Sequence, residues 1–322
     1  MARPIKRAVL MIVSNIESHV ETHAIKVTIE LQSASYQVNL ASSWSLAIPV
    51  NFNQPKQQPN HFSANAALAS PMQAGGFIGD TKQGGSCNVN ELTINPHCNG
   101  THTESIAHIC DFSINTNVLI NQKESETAAL TLAQLTLPAL MPCALISITP
   151  ELAITSSENY SPKFDEDDLI ISRSALEQIL VSYQDEQLQA LVIRSLPNTS
   201  NKRQQAYNSD NQPAFFSREA ILYLNARGVE HLVVDVPSID RLHDDGLMTC
   251  HHLFWQVDEG SHQVNQNSLV NKTITEMAFI GDEVNDDFYF INIQTPSFHN
   301  DAAPSRPVLF SAIEIHAKEM SK

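Results

Sequence analysis

The chain has 322 residues, 42% hydrophobic and 17% charged, the latter below the roughly 25% usual in soluble proteins. With 19 Lys and Arg against 35 Asp and Glu, its formal net charge is −16. The apolar share excludes a charge-driven disordered chain, and the negative field excludes nucleic-acid backbones as partners.

In chain order, the apolar run at residues 8–13 falls far short of the ~20 residues that span a bilayer. No small-residue cleavage site follows it at a suitable distance, so neither a signal peptide nor a membrane partner is expected. Ile25, Val27, Ile29 and Leu31 alternate with polar residues, as do Tyr36, Val38 and Leu40; a hairpin around residues 32–35 is predicted. Residues 49–85 are rich in Asn, Gln, Pro and Gly and read as long loops. Apolar runs at 144–148, 190–193, 232–236, 288–293 and 308–315 predict buried strands. Ser174 and Glu177 form a capping-box pattern that opens a helix to about Tyr183. Ser217 caps a second helix over 218–226, which Gly228 ends. The acidic run Asp165, Glu166, Asp167 and Asp168 reads as a solvated loop, with a metal site as the alternative. Residues 197–213 read as a polar surface loop. No repeat or linker divides the chain, so a single mixed α/β domain over 1–322 is the simplest account. Five cysteines, an odd number spread over a long chain, fit a reducing compartment, and the expected location is the cytoplasm.

The densest set of possible ligands lies at 97–108: His97, Cys98, His102, Glu104 and His108 within twelve positions. Imidazole, thiolate and carboxylate are the groups that hold zinc or manganese. In an extended segment His102 and Glu104 point to one face, and a helix beginning near Glu104 places His108 one turn further along it. Gly100 allows a positive φ ahead of the ligands. Spacing alone also allows a polar loop whose histidines happen to cluster. Far downstream, Cys250, His251 and His252 form a second set, and Glu276 stands in an otherwise uncharged stretch. A carboxylate among apolar neighbours needs a partner, either a metal or a basic side chain.

Gly100-Thr101-His102-Thr103-Glu104 followed by His108 resembles the signature of the metal-dependent cyclase family, His-x-Gly-Thr-His-x-Asp-x-Pro-x-His. That family includes bacterial kynurenine formamidases and isatin hydrolases. The resemblance continues, in the family's order, through residues 191–195, 224–229, 234–240, His251-His252, Thr275-Glu276 and 300–307. It implies a mixed α+β fold with a β-barrel-like core and flanking helices, and up to two divalent metals per chain, zinc or manganese. It further implies His102 as a ligand, Glu104 in the place of the bridging Asp, His108 as general acid/base, and His251 and Glu276 as the downstream ligands. Three positions depart from the signature. Four residues before His102 stands Cys98, and His97 is five before; Glu104 replaces Asp; Ile106 replaces Pro. His97 is the favoured ligand because it keeps a nitrogen donor, and Cys98 is the alternative because it keeps the spacing. The family's habit implies a homo-oligomer.

These parts suit metal-assisted hydrolysis of a C–N bond in a small amide, formamide or lactam, with His108 moving the proton. Two other readings stand beside it: a lyase, dehydratase or cyclase using the same metal, and a member that binds a small molecule without turnover. Trp44 is a candidate to stack on the substrate, with core packing as the alternative. Arg194 and Arg306 are candidates to hold a substrate carboxylate, with structural ion pairs as the alternative.

Overall fold

The computed structural model describes residues 25–31, 34–112 and 130–315. The run at 8–13 and part of the expected hairpin turn, Gln32 and Ser33, lie outside them. None of the described helices is long and apolar enough to cross a membrane.

The described residues form two compact units, one of those up to residue 43 together with 310–315 and one of those between 44 and 309. In the first, β1 (Lys26–Leu31) pairs antiparallel with β2 (Ala34–Ser45), with Ile29 opposite Tyr36. The alternation legible in the sequence is that of a strand with one covered face: Tyr36 and Val38 are buried while their neighbours are not. The last part of the strand Arg306–Ile315 belongs to this unit and lies beside β2.

The second unit is built on a mixed sheet. Its strands are β3 (His102–Glu104), β4 (Met141–Ile148), β5 (Ala190–Ser195), β6 (His231–Val234), β7 (Thr273–Glu276), β8 (Asp287–Gln294) and β9 (Ala302–Pro304), in the spatial order β8-β4-β5-β6-β7-β3-β9. The β4, β5, β6 and β7 strands run parallel, while β8, β3 and β9 pair antiparallel with their neighbours. The pairings described do not include one that closes β8 onto β9. Of the parallel strands, β4, β5 and β6 read as continuous apolar runs because both of their faces are covered. Ala144, Ile146, Leu191, Ile193, Leu232, Val234 and Ile274 pack on one side under the helices α2 (Arg173–Leu180), α3 (Arg218–Ala226) and α4 (Thr249–Trp255). Cys143, Leu145, Val192 and Val233 face the other side, against Leu46, Tyr289 and Ile291.

Two local expectations change. Ser172, not Ser174, caps α2: its Oγ accepts from the Ala175 amide at 3.2 Å, and the helix starts two residues earlier than the capping-box pattern indicates. Ser217 does cap α3, accepting from the Ala220 amide at 3.0 Å. The loop-rich stretch after Pro49 contains short strand pairs, among them residues 60–61 against 206–207 and 68–71 against 90–93. The acidic run is not simply solvated, because Asp165 and Asp168 both turn onto the Arg241 guanidinium.

Candidate metal centre

The sheet register assembles the site. In β3, His102 and Glu104 are two residues apart and share one face. Across the antiparallel pairing with β7, His102 stands opposite Glu276 and Glu104 opposite Ile274. Ile274 belongs to the core under the helices, so these two carboxylates and one imidazole occupy the helix-covered face. Both β3 side chains are fully buried.

The segment before β3 is not extended. Asn95 caps a helical turn, α1 (Pro96–Asn99), its Oδ1 accepting from the His97 amide at 3.1 Å. His97 and Cys98 therefore diverge by a helical step and are not on opposite faces of a strand. Gly100, at φ 155°, then turns the chain into β3 in a conformation that disfavours a side chain. After β3, a 3-10 turn over Ile106–His108 brings His108 back over Glu104. From the far side, α4 supplies His251. Asp240 accepts from the Cys250 and His251 amides at 2.6 and 3.1 Å, placing a carboxylate at the N-terminus of α4, where negative charge is favourable.

The side chains converge on Glu104. Its Oε1 lies 2.9 Å from His251 Nε2, and its Oε2 lies 3.2 Å from His97 Nδ1 and 3.7 Å from His108 Nε2. Glu276 places Oε2 3.5 Å from His102 Nε2 and Oε1 3.7 Å from His251 Nε2. Asp301, just ahead of β9, reaches His97 Nε2 at 2.8 Å and His108 Nδ1 at 3.3 Å. Ring centroids of His97 and His108 are 4.3 Å apart in a stacked pair.

Two histidines are oriented by their rear nitrogens. His102 Nδ1 is 3.0 Å from the Gly100 carbonyl, and His251 Nδ1 is 2.5 Å from Asp240 Oδ2. In each case the rear nitrogen is committed and Nε2 points into the cluster, the arrangement in which outer partners set the tautomer of a ligating imidazole.

The electrostatics show a site that needs positive charge. Burial works against ionised Glu104, but His108, His251 and His97 override it and hold the carboxyl well below the usual range. Burial works against protonated His251, and Glu104 and Asp240 override it, raising that imidazole well above its ordinary value. His97 behaves alike: burial would lower it, yet Asp301 and Glu104 push it up to about 10. The imidazoles around Glu104 thus supply the positive charge that its burial calls for. His102 Nε2 and Glu104 Oε2 are buried with neighbours at ion-pair distance but in no hydrogen-bond geometry. Buried polar atoms are seldom left so. A divalent cation fits this donor set, since it binds neutral imidazole and carboxylate and supplies the positive charge that the buried carboxylates call for. Among the described residues, three overlapping triads have ligand atoms within 4.8 Å of one another: His97, His108 and Asp301; His97, His102 and Glu104; Glu104, His108 and His251.

Cys98 belongs to none of these triads. It is buried, and burial pushes its thiol up to about 11, which keeps it protonated.

The three expected substrate contacts stand elsewhere. Trp44 packs edge-on against Tyr289, at 6.0 Å between centroids, and against the core on the face opposite the site. The Arg194 guanidinium donates to Ser147 Oγ, the Gly281 and Val284 carbonyls and Asp286. These bonds tie strand ends together, which is the structural alternative to a substrate contact. Arg306 is exposed and donates to Ser45 Oγ at 3.4 Å. For all three, the structural alternative describes the surroundings.

A cavity of about 260 Å³ opens onto the cluster, lined among others by His61, Phe62, His97, His108, Arg241 and Glu276. Sequence reasoning missed Asp301, Asp240 and His61. The first two stand in the runs 300–307 and 234–240 that carry the family resemblance, but nothing in their spacing assigns them a role. His61 lies in the stretch taken for loops. It is buried, and burial first, then His102 and His97, lowers its imidazole to about 4.

The sequence matches the family model described as "Putative cyclase" over residues 22–241. His251 and Glu276 stand beyond that span, so their place in the cluster rests on the fold. Among solved structures, isatin hydrolase A from Ralstonia solanacearum is 13% identical, with 84% of this chain and 91% of that one covered at a TM-score of 0.53. An isatin hydrolase bound to the product analogue thioisatinate is 11% identical, with 94% and 99% covered at 0.50. Identities this low make the likeness one of fold. No curated protein matches the chain.

Proposed function

We propose that this chain, which belongs to the cyclase family, is a metal-dependent hydrolase that cleaves the C–N bond of a small amide, formamide or lactam. The observation that carries the reading is the pair of buried atoms His102 Nε2 and Glu104 Oε2. They lack hydrogen-bond geometry yet face imidazoles and carboxylates on every side. His97, His102, Glu104, His251 and Glu276 would hold up to two divalent ions, zinc or manganese. A divalent ion supplies Lewis acidity and lowers the pKa of water towards ~7.

The chain's own groups do the rest. His108 is partly exposed, lines the cavity and has Nδ1 held by Asp301, so Nε2 is the atom that takes a proton and returns it to a leaving nitrogen. Asp301 orients both His97 and His108. Glu276 keeps one oxygen for the site and accepts from the Ile239 amide at 2.8 Å with the other, which fixes its carboxylate plane. The cavity, at about 260 Å³, lies just under the range of roughly 300–1,000 Å³ for drug-sized ligands, which favours a small substrate. Solved isatin hydrolases of similar fold act on a cyclic amide, and that substrate class heads the list to be tested.

The test joins metal content to turnover. Purified protein is assayed for bound metal by inductively coupled plasma mass spectrometry, then offered linear amides, formamides and lactams with and without chelator. The expected result is bound divalent metal and chelator-sensitive release of a carboxylate product. A metal-free protein with unchanged activity in chelator would overturn the reading, and elimination or ring closure in place of hydrolysis would move it to the lyase or cyclase class.

A further inference from the structure

His61 lies on the cavity wall beside His97, His108 and Glu276, and it is 3% exposed. Both of its ring nitrogens are buried without a hydrogen-bond partner among the described residues. An imidazole carries at least one N–H in either protonation state, and a buried donor left unpaired is costly. Such an orphan in a core is rare; one facing a cavity has an obvious place for its missing partner.

The backbone around it is built to hold that ring in place. Residues 60–61 pair in parallel with residues 206–207, and the Asn60 amide donates to the Gln205 carbonyl at 3.0 Å. Asn60 Nδ2 donates to the Ala64 carbonyl at 2.8 Å, and Asn99 Nδ2, from α1, donates to the Asn65 carbonyl at 3.0 Å, tying this loop to the helical turn that bears His97. The next two residues, Phe62 and Ser63, sit at φ 54° and 53°. For a residue with a Cβ that region is disfavoured, and a large aromatic there is unusual. The strained turn has a result: His61 points inward while Phe62, 60% exposed, stays at the cavity mouth with its ring 3.9 Å from the imidazole.

Around the cavity, Glu276 and Asp240 are acceptors when ionised, and Arg241 is already held by Asp165 and Asp168. A molecule entering with an acyl oxygen needs a donor on the wall, and His61 is a fixed one. We propose that His61 is a substrate-positioning residue whose imidazole N–H donates a hydrogen bond to the acyl oxygen of the bound molecule, a carbonyl in the substrate and a carboxylate in the product. The inference rests on the amide-hydrolase reading for the chemistry of the ligand, and its test does not require turnover.

Benzoate serves as the probe, a small aromatic carboxylate that a cavity of about 260 Å³ can hold. Its binding to zinc-loaded protein is measured by calorimetry for the wild type, His61→Leu and His61→Gln, with zinc content read alongside. His61→Leu should weaken benzoate by ~10–100-fold, the loss of one hydrogen bond to a charged group. His61→Gln, which keeps an N–H donor, should recover most of that loss, and zinc content should be equal in all three. In the wild type, the His61 ring 15N resonances should move on adding benzoate, an observation that holds even where a variant fails to fold. Unchanged resonances, no benzoate binding to the wild type, or equal binding by His61→Leu would each overturn the proposal. Loss of zinc in the leucine variant would overturn it too, by making His61 a ligand. Benzoate binding that depends on His61 in a protein that hydrolyses no amide would leave the positioning role standing and remove the hydrolase reading.

Discussion

Asp240 Oδ2 lies 2.5 Å from His251 Nδ1, and the same carboxylate accepts from the backbone amides of Cys250 and His251. One acidic side chain therefore both starts α4 and turns the imidazole that α4 carries. Asp240→Asn keeps an oxygen to cap the helix but loses the charge behind the ring. Metal affinity should fall by ~10–100-fold, the usual cost of an outer partner. Zinc titration of the variant checks this; an unchanged affinity would remove Asp240 from the site.

His108 and His102 should separate in their response to alanine. His108 is 24% exposed and held by Asp301, whereas His102 is fully buried across from Glu276. His108→Ala should retain metal while turnover falls by roughly 10²–10⁴-fold. His102→Ala and Glu276→Ala should lose metal outright. Metal analysis of each variant beside its kinetics decides between catalyst and ligand, and loss of metal in His108→Ala would make it a ligand.

The spacing at His97 and Cys98 has a chemical test. His97 touches Glu104 and Asp301, while burial keeps the Cys98 thiol protonated. His97→Ala should sharply lower metal occupancy, and Cys98→Ser should leave it nearly intact. Cobalt-substituted protein should lack the intense near-ultraviolet band of thiolate ligation. If that band is present and disappears in Cys98→Ser, the ligand is sulfur.

Metal should also stabilise the fold, because without it the buried Glu104 carboxylate depends on the imidazoles of His108, His251 and His97 to offset its burial. Zinc at about 100 times its Kd contributes about 2.7 kcal/mol, which raises Tm by roughly 4 °C in a protein of this size. Scanning calorimetry with zinc and with chelator measures the difference, and identical Tm values would argue against a resident metal.

Away from the site, His231 confers acid sensitivity. Burial lowers its imidazole to about 4, while Nδ1 lies 2.9 Å from Thr273 Oγ1 between β6 and β7. The folded state prefers the neutral ring, so between pH 6.5 and 4 the unfolded chain binds the extra proton. This contribution is complete above pH 6.5 and lost as pH falls towards 4, on the order of 3 kcal/mol in all. His231→Asn should flatten that part of the stability–pH curve in urea melts; an unchanged slope would show that other groups set it.

The sequence by itself determined the elements whose signal is local. The apolar runs of β4, β5, β6 and β8 announce strands because they are largely covered, and Ser217 marks the start of α3 because its hydroxyl caps a nearby amide. It also determined the ligand types at 97–108, where imidazole, thiolate and carboxylate are concentrated within one short segment. What it could not decide was register and distance. Glu276 meets His102 only because β7 and β3 pair antiparallel with those two residues opposite. Asp301 meets His97 across 204 positions only because β9 lies along the other edge of β3. His61 enters the cavity through a strained turn within a stretch whose composition reads as loop. The same physics weighs between the two readings of Arg194 that its sequence leaves open, since all three guanidinium nitrogens are bound once the strand ends come together. Side-chain chemistry is written residue by residue; a site is a set of distances, and those come from packing between segments far apart in the chain.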